Sequence, residues 1–587
     1  MRNLKKSHRY QAKYLAIKLP MCRILLIMQN LKHIYYVFFV TPILVTLVFT
    51  TKIPQGYPLL KLCFLAIGTS CLLILVMLKR KELEIINVAL NLWPILFYFL
   101  TVFIIIINTN QKFDLLFFGA NGRYTGLIYI LLIFLYFIIS FYLAKSEKIV
   151  TLTFKSVSLL GLILSLMGYL NLILNSENNL MRVNSFKLSF NNTNFSSFFL
   201  SISFILTCYL LYESNIILER LYLFSSSLIQ FFTIIIIKDV QGIIYLGLGI
   251  AFFFFVTLKH YFPYNWNLKS VKGLISIFPF LILGTFLILK ILSWTLKITS
   301  FQDRLYLWQS GYKIFQDNWL FGVGLNSYGD WEPRYRLAEH NLKLGFSSQE
   351  FSLDPHNFIV QSLSTGGIVL FIGYSLLVTY ITFKALLGLK NNHNSIRYYT
   401  LLLLWFIFLL KQLVSVDNLA IDLWGWILAA YLLKLSTSKF NYFKLDISVL
   451  FKKIVSYFAY FITTSIVLFS TFFIINHTYM NFSTISKLKN INGYEINSQQ
   501  NSQVEQIVQF SRNIPSLEIR IIYVKYLLQL NQINGALKMA KYTTLDFPNR
   551  GEGWQAVATI YSDLGDFKKA DTYMSRFREL RPLDSNP

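Results

Sequence analysis

The sequence predicts an all-α polytopic membrane protein of about 12–13 transmembrane helices, with a large extracytoplasmic loop and a C-terminal extracytoplasmic helical-repeat domain. Three observations lead there. Of 587 residues, 55% are hydrophobic and only 14% are charged, and the mean hydropathy is +0.51, all outside the range of soluble globular chains. Apolar runs long enough for a hydrocarbon layer of roughly 30 Å recur from residue 34 to residue 475. Lys and Arg gather in alternate connections, as the positive-inside rule requires of cytoplasmic loops. That distribution disposes of the nucleic-acid partner that a net charge of +26 would suggest in a soluble protein. Cys22, Cys63, Cys71 and Cys208 show no metal-ligand spacing, so neither a zinc site nor a disulfide scaffold is expected.

In chain order, residues 1–33 carry eight Lys or Arg and no acidic residue, and no small-residue cleavage signal follows. They predict a basic cytoplasmic N-terminus ahead of an uncleaved first span at about 34–51. Further spans are expected at about 58–78, 87–107, 124–144, 150–173, 194–213, 220–237, 241–258, 272–295, 358–385, 398–415, 418–434 and 451–475. Alternate threading puts KRKELE (79–84), KSEK (145–148), the basic 258–272 segment, KNNHNSIR (390–397) and the 434–453 loop in the cytoplasm. It puts 108–123, 174–193, 296–357 and everything after 476 outside. Residues 296–355 hold six Lys or Arg against seven Asp or Glu, and the tail thirteen against ten, so neither shows the basic excess of the inner loops. The organisation is then a basic N-terminus (1–33), a transmembrane domain (34–475) whose large outer loop is 296–357, and an outer domain (476–587), all in the cytoplasmic membrane.

The tail reads differently. WQAVATIYSDLGDFKKADTYMSRFRELRP (554–582) places Trp554, Tyr561, Gly565, Ala570 and Pro582 at the offsets of a tetratricopeptide repeat, a helix hairpin of 34 residues. Thirty-four places earlier stand Ala536 and Pro548, which supports a weaker copy over 515–548. Two repeats are fewer than a free solenoid needs, so the tail is expected to pack on a helix near 500–512. A docking module for a protein or glycan partner and a stabilising cap on the outer face are both open readings.

Four polar clusters lie at the outer boundary: FFGANGRYTGL (117–127), RVNSFKLSFNNTNFSS (182–197), KDVQG (238–242) and the large loop. Boundary charges are costly, which makes Arg123 and Arg182 candidates for function. A guanidinium fork suits diphosphate oxygens, and phospholipid headgroups are the plainer ligand. The loop opens RLYLWQSGYKIFQDNWLFGVGLNSYG at Arg304 and closes DPHNFIVQSLSTGGIVLF past Gly367. A polar segment bearing Arg304, Asp317, Glu332, Arg334, Arg336, His340, Asp354 and His356 between lipid-soluble runs reads as the reactive loop of a membrane enzyme. His340 reads as structural, whereas His356 sits between Pro355 and a helix start, beside Asn357. Trp308, Trp319 and Trp331 read as aromatics that position the loop.

In this order the motifs resemble the O-antigen ligase and O-antigen polymerase family, which includes the protein O-oligosaccharyltransferases. RLYLWQSGYKIFQDNWLFGVGLNSY is similar to the family's Arg, Trp, then Gly-x-Gly pattern, and PHNFIVQSLSTGGIVLF to its His-Asn, then Gly segment. FGANGRYTGL and SFNNTNFSS resemble family segments that precede and open membrane helices. The resemblance implies a glycosyltransferase that passes a glycan from a polyprenyl-diphosphate carrier to an acceptor hydroxyl on the outer side, without a cofactor. It implies His356 as general base, because imidazole titrates near the working pH. It implies Arg304 and Arg182 as stabilisers of the leaving diphosphate, with Arg123 as a third donor. Asn357 and Asn194 would orient the loop or bind glycan hydroxyls. Where the family often shows Ser-Arg-Gly, this chain has Val240, Gln241 and Gly242; Lys238 is the nearest cationic substitute. Glu332 is a reserve base. No metal-ligand cluster is visible, which favours a metal-independent mechanism. The acceptor stays open among a lipid, a lipid-linked glycan and a protein side chain. Two rivals stand: a flippase of lipid-linked glycan, which leaves the outer loop unexplained and lacks an internal repeat, and a surface receptor.

Overall fold

In hydrocarbon every backbone N–H and C=O must be bonded within the protein, so long apolar runs are driven into helices. The computed structural model describes residues 33–48, 56–78, 92–109, 111, 113–120, 123–174, 186–190, 192–261, 299–337, 339–340, 352–392, 395–437, 464–465, 467–476, 517–529 and 531–580. Eight of its helices are long and apolar enough to cross a membrane: α2 (Gly56–Leu78), α6 (Glu147–Leu174), α7 (Thr193–Glu213), α8 (Ile217–Ile237), α9 (Val240–Tyr261), α12 (Phe358–Gly388), α13 (Ile396–Val414) and α14 (Leu419–Ser436). Four shorter apolar helices join them: α1 (His33–Leu47), α3 (Trp93–Asn108), α5 (Leu127–Leu143) and α15 (Val467–Asn476). Each of these falls on an expected span. The span at 272–295, the N-terminal residues 1–32 and the helix near 500–512 lie outside the described residues. Leu96, Leu100, Phe103 and Ile107 form an exposed apolar stripe on α3, a surface suited to lipid.

α14 is the centre of the bundle. Its residues from Leu419 to Leu433 are buried throughout, and its neighbours reach it with hydrogen bonds. Trp424 Nε1 donates to Thr46 Oγ1 of α1 (2.8 Å), and the Tyr431 and Thr153 hydroxyls bond at 2.8 Å. α6, α7 and α8 are joined by small and hydroxyl residues, which let membrane helices approach closely. A Cβ on Gly161 would lie 2.0 Å from Ser203 Oγ, and Ser203 itself donates to Val157 O at 2.9 Å.

The segments between the apolar helices are more structured than hydropathy suggests. A short helix, α4 (Phe113–Phe118), precedes α5. Within 296–357, where the sequence suggests a loop, lie α10 (Thr299–Asp317) and α11 (Tyr328–Tyr335). α10 is too polar to register as a span, yet Leu307, Ser310 and Ile314 form a buried stripe at helical spacing. Gly311 brings α10 onto α12, since a Cβ there would meet Val360 Cγ1 at 2.4 Å.

The tail is helical: α16 (Leu517–Gln529), α17 (Ile533–Asp546), α18 (Gly551–Asp563) and α19 (Phe567–Leu580). Ala536 and Ala570 are buried in its core with Tyr523, Met539, Val557 and Ile560. It touches α11, where Arg334 donates to Asn549 Oδ1 (2.7 Å) and Arg550 pairs with Asp330 (3.4 Å).

Candidate functional site

The glycine motifs at 322–324 and 366–367 explain each other. α12 breaks at Gly367, whose φ of +61° and ψ of −163° suit glycine alone. The break leaves the carbonyls of Ser364 and Thr365, and the N–H groups of Ile368 and Val369, without helical partners. The turn over 319–324 supplies them. Val323 N and Gly324 N donate to Ser364 O (3.0 Å) and Thr365 O (2.8 Å), while Ile368 N and Val369 N donate to Trp319 O (2.9 Å) and Leu320 O (3.4 Å). Backbone meets backbone so closely that a Cβ on Gly322 would lie 2.4 Å from the Thr365 carbonyl carbon. The same turn aims Asn326 at Thr125, which donates to its Oδ1 at 2.7 Å. That bond ties the loop to the FGANGRYTG segment, where Gly126 N bonds Phe118 O at 3.1 Å and Arg123 N bonds Ala120 O at 3.0 Å.

His356 stands at the entrance to α12 in the left-handed region, with φ +54°, a conformation a non-glycine residue holds only when its surroundings enforce it. Its N–H donates to Asp354 Oδ1 (3.0 Å), Trp308 Nε1 donates to Pro355 O (2.8 Å), and Asn357 caps α12 by accepting from Ile359 N and Val360 N. Trp308 therefore positions the loop through a hydrogen bond to the segment bearing His356. Burial holds the imidazole below its ordinary pKa; Asp354 opposes this, and Arg304 and Arg123 add to it. Burial thus favours the neutral imidazole, the form able to accept a proton.

His356, Asn357 and Arg123 line an open cavity of about 1040 Å³, counting its solvent-filled mouth. Arg123 Nε is 3.1 Å from Asp354 Oδ2, so part of its fork is taken. Arg304 has no ion pair or hydrogen bond among the described residues. Burial lowers its pKa, and Asp239, Tyr245 and Asp354 pull the other way. Within electrostatic reach of His356, it is a half-buried guanidinium with donors to spare, suited to an anion beside a base. The cavity lining also includes Tyr129, Tyr374, Gln412, Ser415 and Asp417.

Residues 225–375 match the O-antigen ligase family. The match runs from within α8 to within α12, taking in Arg304, the glycine turn, His356 and Gly367, and it supports the resemblance those motifs suggest. A membrane enzyme that transfers glycan, of ligase or polymerase type, is the activity it supports. No curated protein is significantly similar to the chain. The other candidates fall inside and outside the O-antigen ligase match. Lys238, inside it, is exposed and ends α8 in a left-handed conformation; it does not line the cavity. Gln241 donates to Val414 O at the end of α13 (3.4 Å) and does not line the cavity. Glu332, also inside the match, is fully buried and bonded through both oxygens to Arg336 (2.7 and 2.6 Å), away from the cavity lining. Asn194 lies before the match in the first turn of α7; its N–H donates to Asn192 Oδ1 and it does not line the cavity. Arg182 lies outside the described residues. His340, read as structural, is buried and stacks on Tyr306 with ring centroids 4.9 Å apart.

Sequence reasoning gave no role of their own to Asp239 and Asp354 and passed over Asp417. Asp239 opens α9, accepting from Gly242 N (2.9 Å) and from Ser197 Oγ, and its charge acts on Arg304. The available signal was a carboxylate in each short connection beside an apolar run.

Proposed function

We propose that this protein is a membrane glycosyltransferase that passes a glycan from a polyprenyl-diphosphate carrier to an acceptor hydroxyl on the outer side of the cytoplasmic membrane, as an O-antigen ligase or polymerase does. The observation that supports the reading is a cavity-lining His356 in an enforced backbone conformation, within electrostatic reach of the Arg304 guanidinium, which has no ion pair or hydrogen bond among the described residues.

In this reaction His356 takes the proton of the acceptor hydroxyl. The freed oxygen attacks the anomeric carbon of the donor sugar and forms the glycosidic bond. The bond from that carbon to the diphosphate oxygen breaks, and its electron pair leaves with the diphosphate. Arg304 stabilises the charge that grows there, and Arg123, held by Asp354, adds a second cationic donor. Asn357 keeps the base in place by capping α12.

The test is product analysis of the purified protein in liposomes given its host's polyprenyl-diphosphate glycan, with His356→Ala alongside. Longer lipid-linked chains that vanish in the variant establish a polymerase. Release of lipid diphosphate only after an acceptor extract is added establishes a ligase or a protein glycosyltransferase. Movement of an unchanged lipid-linked glycan across the bilayer, with no new bond, overturns the enzyme in favour of a flippase.

A further inference from the structure

Behind His356, the connection between α13 and α14 presents a carboxylate to the same cavity. The surrounding polar groups are organised around its neighbour. Lys411 Nζ pairs with Asp422 Oδ1 at 2.8 Å, both side chains being 1% exposed. The other Asp422 oxygen accepts from Tyr129 Oη and from Asn418 N, each at 2.7 Å. Asp422 is thus fully bonded, and Lys411 is committed to it. Asp417 is different. Its closest cation is Lys411 Nζ at 4.0 Å, its side chain keeps 30% of its surface exposed, and it accepts no hydrogen bond among the described residues. A half-buried carboxylate that faces a polar cavity with its acceptor sites free is a place for hydroxyl donors. Tyr98, Gln412 and Ser415 around it add further polar groups, and Trp426 an aromatic face, a lining suited to a sugar ring.

We propose that Asp417 is a sugar-binding residue that accepts hydrogen bonds from hydroxyls of the donor glycan's first sugar, with the Lys411–Asp422 pair fixing its carboxylate in the cavity. This rests on the glycosyltransferase reading above. The site is pH-dependent. Burial and the neighbouring Asp422 push the Asp417 carboxyl up to about 7, while Lys411 opposes them. The charged and titratable groups facing it are Lys411 of α13, Asp422 of α14, Tyr98 of α3, Tyr129 of α5, Tyr374 of α12, and Asp354 and Arg123 from the outer segments. The carboxylate is the binding form. It is present above that pKa and is lost as pH falls through about 7.

The experiment compares the wild type, Asp417→Asn and Asp417→Glu in liposomes. It measures equilibrium binding of the host's polyprenyl-diphosphate glycan and, separately, transfer kinetics across pH. In Asp417→Asn the Kd and the KM for the donor rise about tenfold with kcat within a few-fold, because a hydrogen bond to a charged acceptor is lost. Its acid limb moves to lower pH, because the carboxyl that titrates at about 7 is gone. Asp417→Glu keeps the limb near 7, which a merely structural role would not require. Donor binding and acid limb both unchanged in a folded Asp417→Asn protein overturn the proposal. If the wild type makes no glycosidic bond, the enzyme reading fails, and the binding comparison still decides Asp417: weaker binding in Asp417→Asn supports it, and equal binding overturns it.

Discussion

Gly322→Ala tests whether the glycine turn builds the site. The new Cβ would lie 2.4 Å from the Thr365 carbonyl carbon, 2.5 Å from Gly366 N and 2.7 Å from Gly367 N. All three are backbone atoms at the break in α12, with no flexible side chain to move aside. At φ +66° the alanine also adopts the left-handed region, at a cost of about 1 kcal/mol or more. Relief of the clash requires the turn and the helix break to separate. That weakens the four backbone bonds joining them, each worth about 1 kcal/mol net when formed. With half of those bonds lost, the expected destabilisation is about 3 kcal/mol. Because His356 begins the helix that this contact holds, a shift of about 1 Å also lowers transfer about 100-fold. Gly247→Ala is the control: nothing lies within 4 Å of its Cβ, and the substitution should leave the protein unchanged or slightly more stable. The assay is the denaturation midpoint of purified protein in detergent, alongside liposome transfer. If Gly322→Ala unfolds where Gly247→Ala does and keeps full activity, the interlock is not what positions the site.

Two further outcomes follow from the geometry. Arg304→Lys should be nearly as damaging to kcat as Arg304→Ala, because a planar two-donor fork matches diphosphate oxygens and a point charge does not; near-complete rescue by Lys would reduce the role to charge alone. Replacing both Asp330 and Arg334 by Ala removes two polar ties seen between α11 and the tail among the described residues, at about 1 kcal/mol or less apiece for partly exposed pairs. Limited proteolysis should then cut the tail faster while the membrane helices stay intact, and an unchanged cleavage rate would show that the tail is held by other contacts.

The helices, their order and the motifs of the family match were legible because each depends on local properties. An apolar run becomes a helix in lipid whatever its neighbours are, and the spacing of Arg304, the Gly-x-Gly turn, His356 and Gly367 is a property of the string itself. α10 escaped because a hydropathy average does not see an amphipathic helix whose buried stripe is Leu307, Ser310 and Ile314. Tertiary structure decided the partnerships. Glu332 looked available as a base, yet the fold buries it against Arg336. Arg123 reads as a diphosphate donor, yet the fold ties part of its fork to Asp354. Lys411 and Asp422, each a costly charge inside an apolar run, offset one another and leave Asp417 beside the cavity with its acceptor sites open. The glycines of two motifs are visible in sequence, but their need follows only when the turn at Gly322 fills the break at Gly367. Solvent preference acts residue by residue and can be read along a chain, whereas a charge or an unbonded amide is settled by whichever distant group the fold brings within reach.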